Sequence, residues 1–177
     1  MYTASCGTHL HFAHHVRGHS GPCISLHGHT WRFEIMLGAE ALDAEGFVVD
    51  FDRVHAELFD PCFRLLDHSL ALGELSFSET RGELEKLGTT LVASRLETLG
   101  NLGCRPDGID ADLGGATNAW PGGIKIAVFP FTPTSERLAS WLFRVASERF
   151  ANERVKVLRA RVYESLLPNE SFADYSA

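Results

Sequence analysis

Cysteine is scarce in this chain and scattered: Cys6, Cys23, Cys62 and Cys104 form no CxxC pair and no dense secreted framework. The pattern excludes a disulfide scaffold and points to a reducing, cytoplasmic setting. No run approaches the ~20 apolar residues of a bilayer span, and the start lacks the basic segment and apolar core of a secretory signal. No membrane partner is expected. Basic residues are outnumbered, 16 Lys and Arg against 23 Asp and Glu for a net charge of -7, so there is no broad positive field for nucleic acid. A local basic pocket for a phosphorylated metabolite stays compatible with that balance. Gly114-Gly115 and Gly122-Gly123 fit neither GxxxxGK[ST] nor GxGxxG, which removes the common phosphate loops. Repeats, low-complexity tracts and linkers are also missing, so 177 residues at 45% hydrophobic read as a single domain, 1–177, with a substantial core.

What the chain has in excess is histidine: of nine, seven fall between His9 and His29. A lone histidine is usually an ordinary surface or core residue, but such clustering favours a metal. In His27-Gly28-His29 two imidazoles separated by one small residue can point to one side of a strand and share an ion. A third donor lies in the run His9-Leu10-His11-Phe12-Ala13-His14-His15. Alternation sets His14 on the face of Leu10 and Phe12; if these two are core, His14 is a better third ligand than His15. Three neutral imidazoles leave one tetrahedral position open, as in a catalytic zinc site. Spacing alone also admits iron or manganese, and Cys23 reads as either a ligand or a nearby thiol.

Alternation predicts strands over about residues 8–14, 29–37, 47–51, 124–131 and 155–166. Helices are expected over about 53–59, with Asp52 as N-cap and Pro61 as stop, over about 80–99, capped by Ser76 or Ser78, and from Pro133 to Phe150. Residues 101–123, rich in Gly, Pro, Asp and Asn, read as loop. His29 shares the apolar face of its strand with Trp31, Phe33, Ile35 and Leu37. Asp67 and His68 interrupt an apolar run, either as a satisfied surface pair or, if the metal is close, as an acid–base pair. Glu164 falls on the mainly apolar face of the last strand, where a carboxylate needs a salt bridge, a ligand's N–H donors or an open pocket. Strands separated by long crossing elements give an α+β domain with an antiparallel sheet. The residues by themselves suggest a metal enzyme in which Cys23 and the Asp67-His68 region move protons on a small polar substrate.

In order along the chain, these segments resemble the pyruvoyl- and carboxytetrahydropterin synthase family. The run from His14 to His29, with Gly18-His19, Gly21, Cys23 and Leu26-His27-Gly28-His29, is similar to the family's zinc segment. Cys23 followed by three residues and then HGH resembles the carboxytetrahydropterin, queuosine-pathway branch. The likeness continues through Gly46-Phe47-Val48-Val49-Asp50-Phe51, Leu66-Asp67-His68, Pro133-Thr134-Ser135-Glu136, Val162-Tyr163-Glu164-Ser165 and Ala173-Asp174-Tyr175.

The resemblance implies the tunnelling fold (T-fold), an antiparallel sheet with two long helices on one face, and a homo-oligomer, commonly a hexamer. It implies Zn2+ held by His14, His27 and His29, Cys23 as catalytic base, Asp67 with His68 as proton-transfer pair and Glu164 as anchor of the pterin ring. The implied reaction converts 7,8-dihydroneopterin triphosphate to 6-carboxy-5,6,7,8-tetrahydropterin with loss of acetaldehyde and triphosphate, without a redox cofactor. The alternatives are a related zinc lyase acting on a different pterin and a non-catalytic pterin-binding zinc protein. The chain departs from the family pattern at His15, where Arg is common, and at Thr30-Trp31, where Asn-Tyr is common. A helical and loop insertion over about residues 72–123 has no matched counterpart.

Overall fold

The computed structural model describes residues 1–92 and 113–176. Its strands are β1 (Tyr2–His14), β2 (His27–Ala39), β3 (Leu70–Gly73), β4 (Thr117–Ala119), β5 (Ile126–Phe129), β6 (Val155–Ser165) and β7 (Ser171–Ser176). They form one sheet in the order β4-β5-β3-β1-β2-β6-β7. The helices are α1 (Phe51–Val54), α2 (Asp60–Leu66), α3 (Glu74–Val92) and α4 (Ser135–Phe150). The fold is α+β, with helices on one face of the sheet, a T-fold-like architecture. The sheet is mixed: β2–β6, β6–β7 and β4–β5 are antiparallel, whereas β1–β3 and β3–β5 are parallel.

Contacts divide the chain into two compact units, the first made of Met1–Leu10, His29–Phe63 and Thr134–Ala177. Here the two-residue period of β2 decides the packing. Trp31, Phe33, Ile35 and Leu37 are all buried, and Phe33 meets Trp141 of α4 edge-on, ring centroids 6.4 Å apart. Leu138, Leu142, Val145 and Phe150 complete the buried stripe of α4, each side chain contributing about 1.5–3 kcal/mol. Thr134 caps that helix by accepting the Arg137 N–H. On the other side of the same strands, Glu34 binds Arg32 and Arg159, and Asp174 of β7 binds Arg161 through both oxygens at 2.6 Å.

The second unit comprises His11–Gly28 and Arg64–Pro133. Leu72, Leu84, Ile126 and Val128 form its buried cluster, with Phe77 of α3 and Ile124 packed against it. α3 crosses the 3-10 turn Pro121–Gly123 at backbone contact. A Cβ on Gly88 would lie 2.6 Å from the Pro121 carbonyl oxygen, and Gly122, at φ +58°, faces the Glu85 carbonyl.

Several boundaries differ from the sequence expectation. Residues 47–50 are not a strand: they pair with no strand of the sheet, and the backbone bends at Val48 and Val49 before the helix begins. The helix N-cap is Asp50, whose carboxylate accepts the Asp52 N–H at 2.9 Å, rather than Asp52 itself. Pro61 does not stop this helix, because a π turn, His55–Phe59, precedes it; the wider turn carries the Asp60 N–H to the His55 carbonyl and accommodates the ring. α3 begins at Glu74 directly after β3, so Ser76 and Ser78 lie inside it, and the part of the expected helix beyond residue 92 falls outside the described residues. β4 lies within the expected loop, and β7 follows the last expected strand.

Candidate metal centre

β1 carries Leu10, Phe12 and His14 on one buried side, so His14 enters the interior as the last residue of an apolar row. β2 opens with His27 and His29, which share a face with Trp31, and the Trp31 ring meets the His29 ring edge-on at 5.4 Å. In the β2–β6 ladder Arg32 stands opposite Tyr163; the next residue of β6, Glu164, therefore takes the other face, that of Trp31 and His29. The side chains of His14, His27, His29 and Glu164 each offer one donor atom within 4.8 Å of all the others.

The hydrogen bonds behind the rings orient them. His14 Nδ1 donates to the Pro133 carbonyl at 2.8 Å, and His27 Nδ1 to the Ser25 carbonyl at 2.8 Å. A carbonyl oxygen only accepts, so each neutral ring keeps its proton on Nδ1 and turns the Nε2 lone pair toward the cluster. The Nε2 atoms of His14, His27 and His29 are buried from solvent, and His29 Nε2 lies 3.8 Å from Glu164 Oε1. Three imidazole nitrogens and a carboxylate oxygen fit a divalent transition-metal ion. Burial pushes the neighbouring His15 imidazole below its ordinary value, against the pull of a hydrogen bond to the Ile24 backbone.

Asp67 and His68 make a separate constellation at the end of α2. Asp67 is buried; one carboxylate oxygen accepts the His11 N–H at 3.0 Å and the other accepts from His68 Nδ1 at 2.5 Å. His68 has φ +56°, a left-handed conformation uncommon for a side-chain-bearing residue, and its side chain is 82% exposed. The His68 N–H to His11 carbonyl bond, at 2.7 Å, holds that turn. Cys23 sits half-buried in the 3-10 turn Pro22–Ile24, where its carbonyl accepts the Val16 N–H at 2.7 Å. Neither Cys23 nor the Asp67-His68 pair belongs to the ligand group.

Sequence reasoning gave Glu164 to a substrate; the structure sets it beside the three histidines as well. It missed the carbonyls of Pro133 and Ser25, which carry no side-chain signal; Lys125, expected to face solvent or a ligand, instead donates from Nζ to the Asp67 carbonyl at 2.7 Å. The signal for Lys125 was its place in an apolar strand.

A family model described as 6-pyruvoyl tetrahydropterin synthase matches residues 4–176. The chain belongs to this family. Among solved structures similar to this member of the pterin synthase family is an uncharacterised protein of Wolinella succinogenes, 20% identical, with 99% of this chain and 97% of that one covered at a TM-score of 0.67. The 6-pyruvoyl tetrahydropterin synthase of Caenorhabditis elegans follows at 14% identity, 99% and 95% coverage and TM-score 0.55. That of Plasmodium vivax gives 14%, full coverage of both chains and 0.52. At these identities the likeness is one of fold. A comparison with curated protein sequences finds no match.

Proposed function

We propose that this pterin synthase family member is a zinc-dependent 6-carboxytetrahydropterin synthase of queuosine-type biosynthesis. It would convert 7,8-dihydroneopterin triphosphate and water to 6-carboxy-5,6,7,8-tetrahydropterin, acetaldehyde and triphosphate. The observation that carries the reading is the group formed by His14, His27, His29 and Glu164, with the Nδ1 atoms of His14 and His27 committed to carbonyls.

In this reading His14, His27 and His29 hold the ion, which when bound supplies Lewis-acid polarisation of a substrate oxygen. Glu164 is partly exposed as well as close to His29, so it can border the ion and still accept the ring N–H and exocyclic amino donors of a pterin. Cys23, on a turn outside the ligand group, is the base that removes a side-chain proton. The exposed imidazole of His68, backed by buried Asp67, returns a proton elsewhere on the substrate. The assembly is a homo-oligomer, a hexamer, and the location cytoplasmic; Cys6, Cys23 and Cys62 are free thiols, and among the described residues no helix is long and apolar enough to cross a membrane.

The test is product analysis after anaerobic incubation of the zinc-loaded protein with 7,8-dihydroneopterin triphosphate. Equal yields of 6-carboxytetrahydropterin and acetaldehyde are expected. A different pterin product formed with comparable efficiency would move the chain to another lyase of the family, and binding without turnover would make it a non-catalytic pterin-binding protein.

A further inference from the structure

The turn that carries Cys23 is tied to α3, a helix that holds none of the motifs that carry the sequence resemblance. Arg17 forms a two-point contact with Glu79 of α3: its NH1 meets Oε2, and its NH2 donates to Oε1 at 2.9 Å. A planar guanidinium held by both oxygens of a carboxylate is fixed in direction as well as distance. Next to Arg17, Val16 donates its N–H to the Cys23 carbonyl at 2.7 Å, and the Val16 carbonyl accepts the His19 N–H at 3.2 Å. Arg17 is thus one peptide unit from the hydrogen bond that places Cys23. The other end of the contact is anchored: Leu84, five residues beyond Glu79 on the same helix, lies in the buried cluster, and Gly88 and Gly122 bring α3 and the Pro121–Gly123 turn into backbone contact. The chain of contacts runs from a packed helix through one ion pair to the Cys23 turn.

We propose that α3 sets the position of the Cys23 turn through Glu79 and Arg17, which makes these two positioning residues for the reaction at Cys23. The inference rests on the proposed role of Cys23 as base, and it extends that role to a helix that carries none of the motifs on which the sequence resemblance rests. An ordinary exposed ion pair of this kind alters global stability by at most about 1 kcal/mol and leaves the chemistry untouched. The strut differs in one respect: cutting it loosens a particular thiol.

The test compares Glu79→Gln, Arg17→Gln and the charge swap Arg17→Glu with Glu79→Arg against wild type, all with Cys104→Ser. Burial, aided by the Glu34 charge, raises the Cys6 thiol to about 11, and burial raises Cys62 to about 12. Alkylation by iodoacetamide between about pH 6 and 9, followed by peptide mass spectrometry, therefore reads Cys23. Each single variant should alkylate Cys23 about fivefold faster, the factor matching loss of one well-formed pair, with zinc content unchanged and melting temperature nearly so. kcat on the pterin should fall by a similar factor with KM nearly constant, and the swap should restore much of both. Wild-type alkylation rates in the single variants, or no recovery in the swap, would overturn the strut. Absence of pterin turnover in wild type would defeat the functional reading, while the alkylation rates would still decide the strut.

Discussion

Replacing His14 by Ala tests the metal centre at its most buried ligand. The imidazole is fully enclosed, holds the Pro133 carbonyl at 2.8 Å through Nδ1 and lies ring-to-ring with His27 at 4.6 Å. Structural zinc sites with four protein ligands bind with roughly 10–16 kcal/mol, about 2.5–4 kcal/mol per donor, so loss of one of the three histidines should raise Kd about 100- to 1,000-fold. At free zinc about 1,000 times the wild-type Kd, binding stabilises the folded protein by about 4 kcal/mol; the same zinc should stabilise the His14→Ala protein by only about 0.4–1.4 kcal/mol. For a chain of this size the zinc-induced rise in Tm should shrink from about 8–16 °C to about 1–5 °C. The metal-free variant should also lose about 1–3 kcal/mol, because the Pro133 carbonyl loses its buried donor. Chelator competition and melting with and without zinc supply both numbers, and His15→Ala is the internal control. His15 is next in sequence but outside the ligand group, so its removal should leave Kd within about twofold. Wild-type zinc affinity in His14→Ala, or an equal loss in His15→Ala, would refute the assignment.

Two further outcomes follow from other carboxylates. Glu164→Gln puts an amide N–H where an acceptor oxygen stood, and should weaken binding of a non-reactive pterin by about 2–4 kcal/mol while zinc stays stoichiometric; equal calorimetric affinity in the two proteins would remove Glu164 from substrate recognition. Hydrogen bonds from Arg161 hold the Asp174 carboxyl below the usual carboxylate range, so this group's extra stability is fully present above its unfolded pKa and is lost as pH falls through the lower folded value. Asp174→Asn should therefore flatten the acid limb of the stability curve by about 0.5–1 kcal/mol, a figure discounted for the exposure of the pair, and an unchanged acid limb in chemical denaturation would count against it.

The part of the site legible in the sequence is the part written in strand periodicity. His14 follows Leu10 and Phe12, His29 precedes Trp31 and Phe33, and Glu164 follows Ala160 and Val162, so each polar residue was marked by the apolar row it ends. The helix α4 was legible for the same reason at a longer period. What was not legible depends on partners far along the chain or on backbone atoms. The Pro133 carbonyl that orients His14 is 119 residues away and looks like any other carbonyl. Asp50 and Asp52 are equally good caps by composition, and only the hydrogen bond from the Asp52 N–H to the Asp50 carboxylate shows where the helix starts. The parallel pairing of β3 with β1 and β5 leaves no local mark, because a four-residue strand carries too little alternation.

The two kinds of element used have a consequence for how the site responds to change. All four members of the ligand group stand on strands of the sheet, β1, β2 or β6, beside buried neighbours such as Phe12 and Trp31. Cys23 stands on a three-residue 3-10 turn held by a few backbone hydrogen bonds, and His68 at the exposed end of a helix in a left-handed conformation. Such segments open at lower free energy than sheet strands. Under the proposed function, perturbations away from the sheet should therefore reach the thiol and the exposed imidazole before they reach the metal site, so that turnover would decline while zinc affinity holds. A strut from α3 to the Cys23 turn is useful in that setting, because it lends a weakly held turn the rigidity that the ligands draw from the sheet itself.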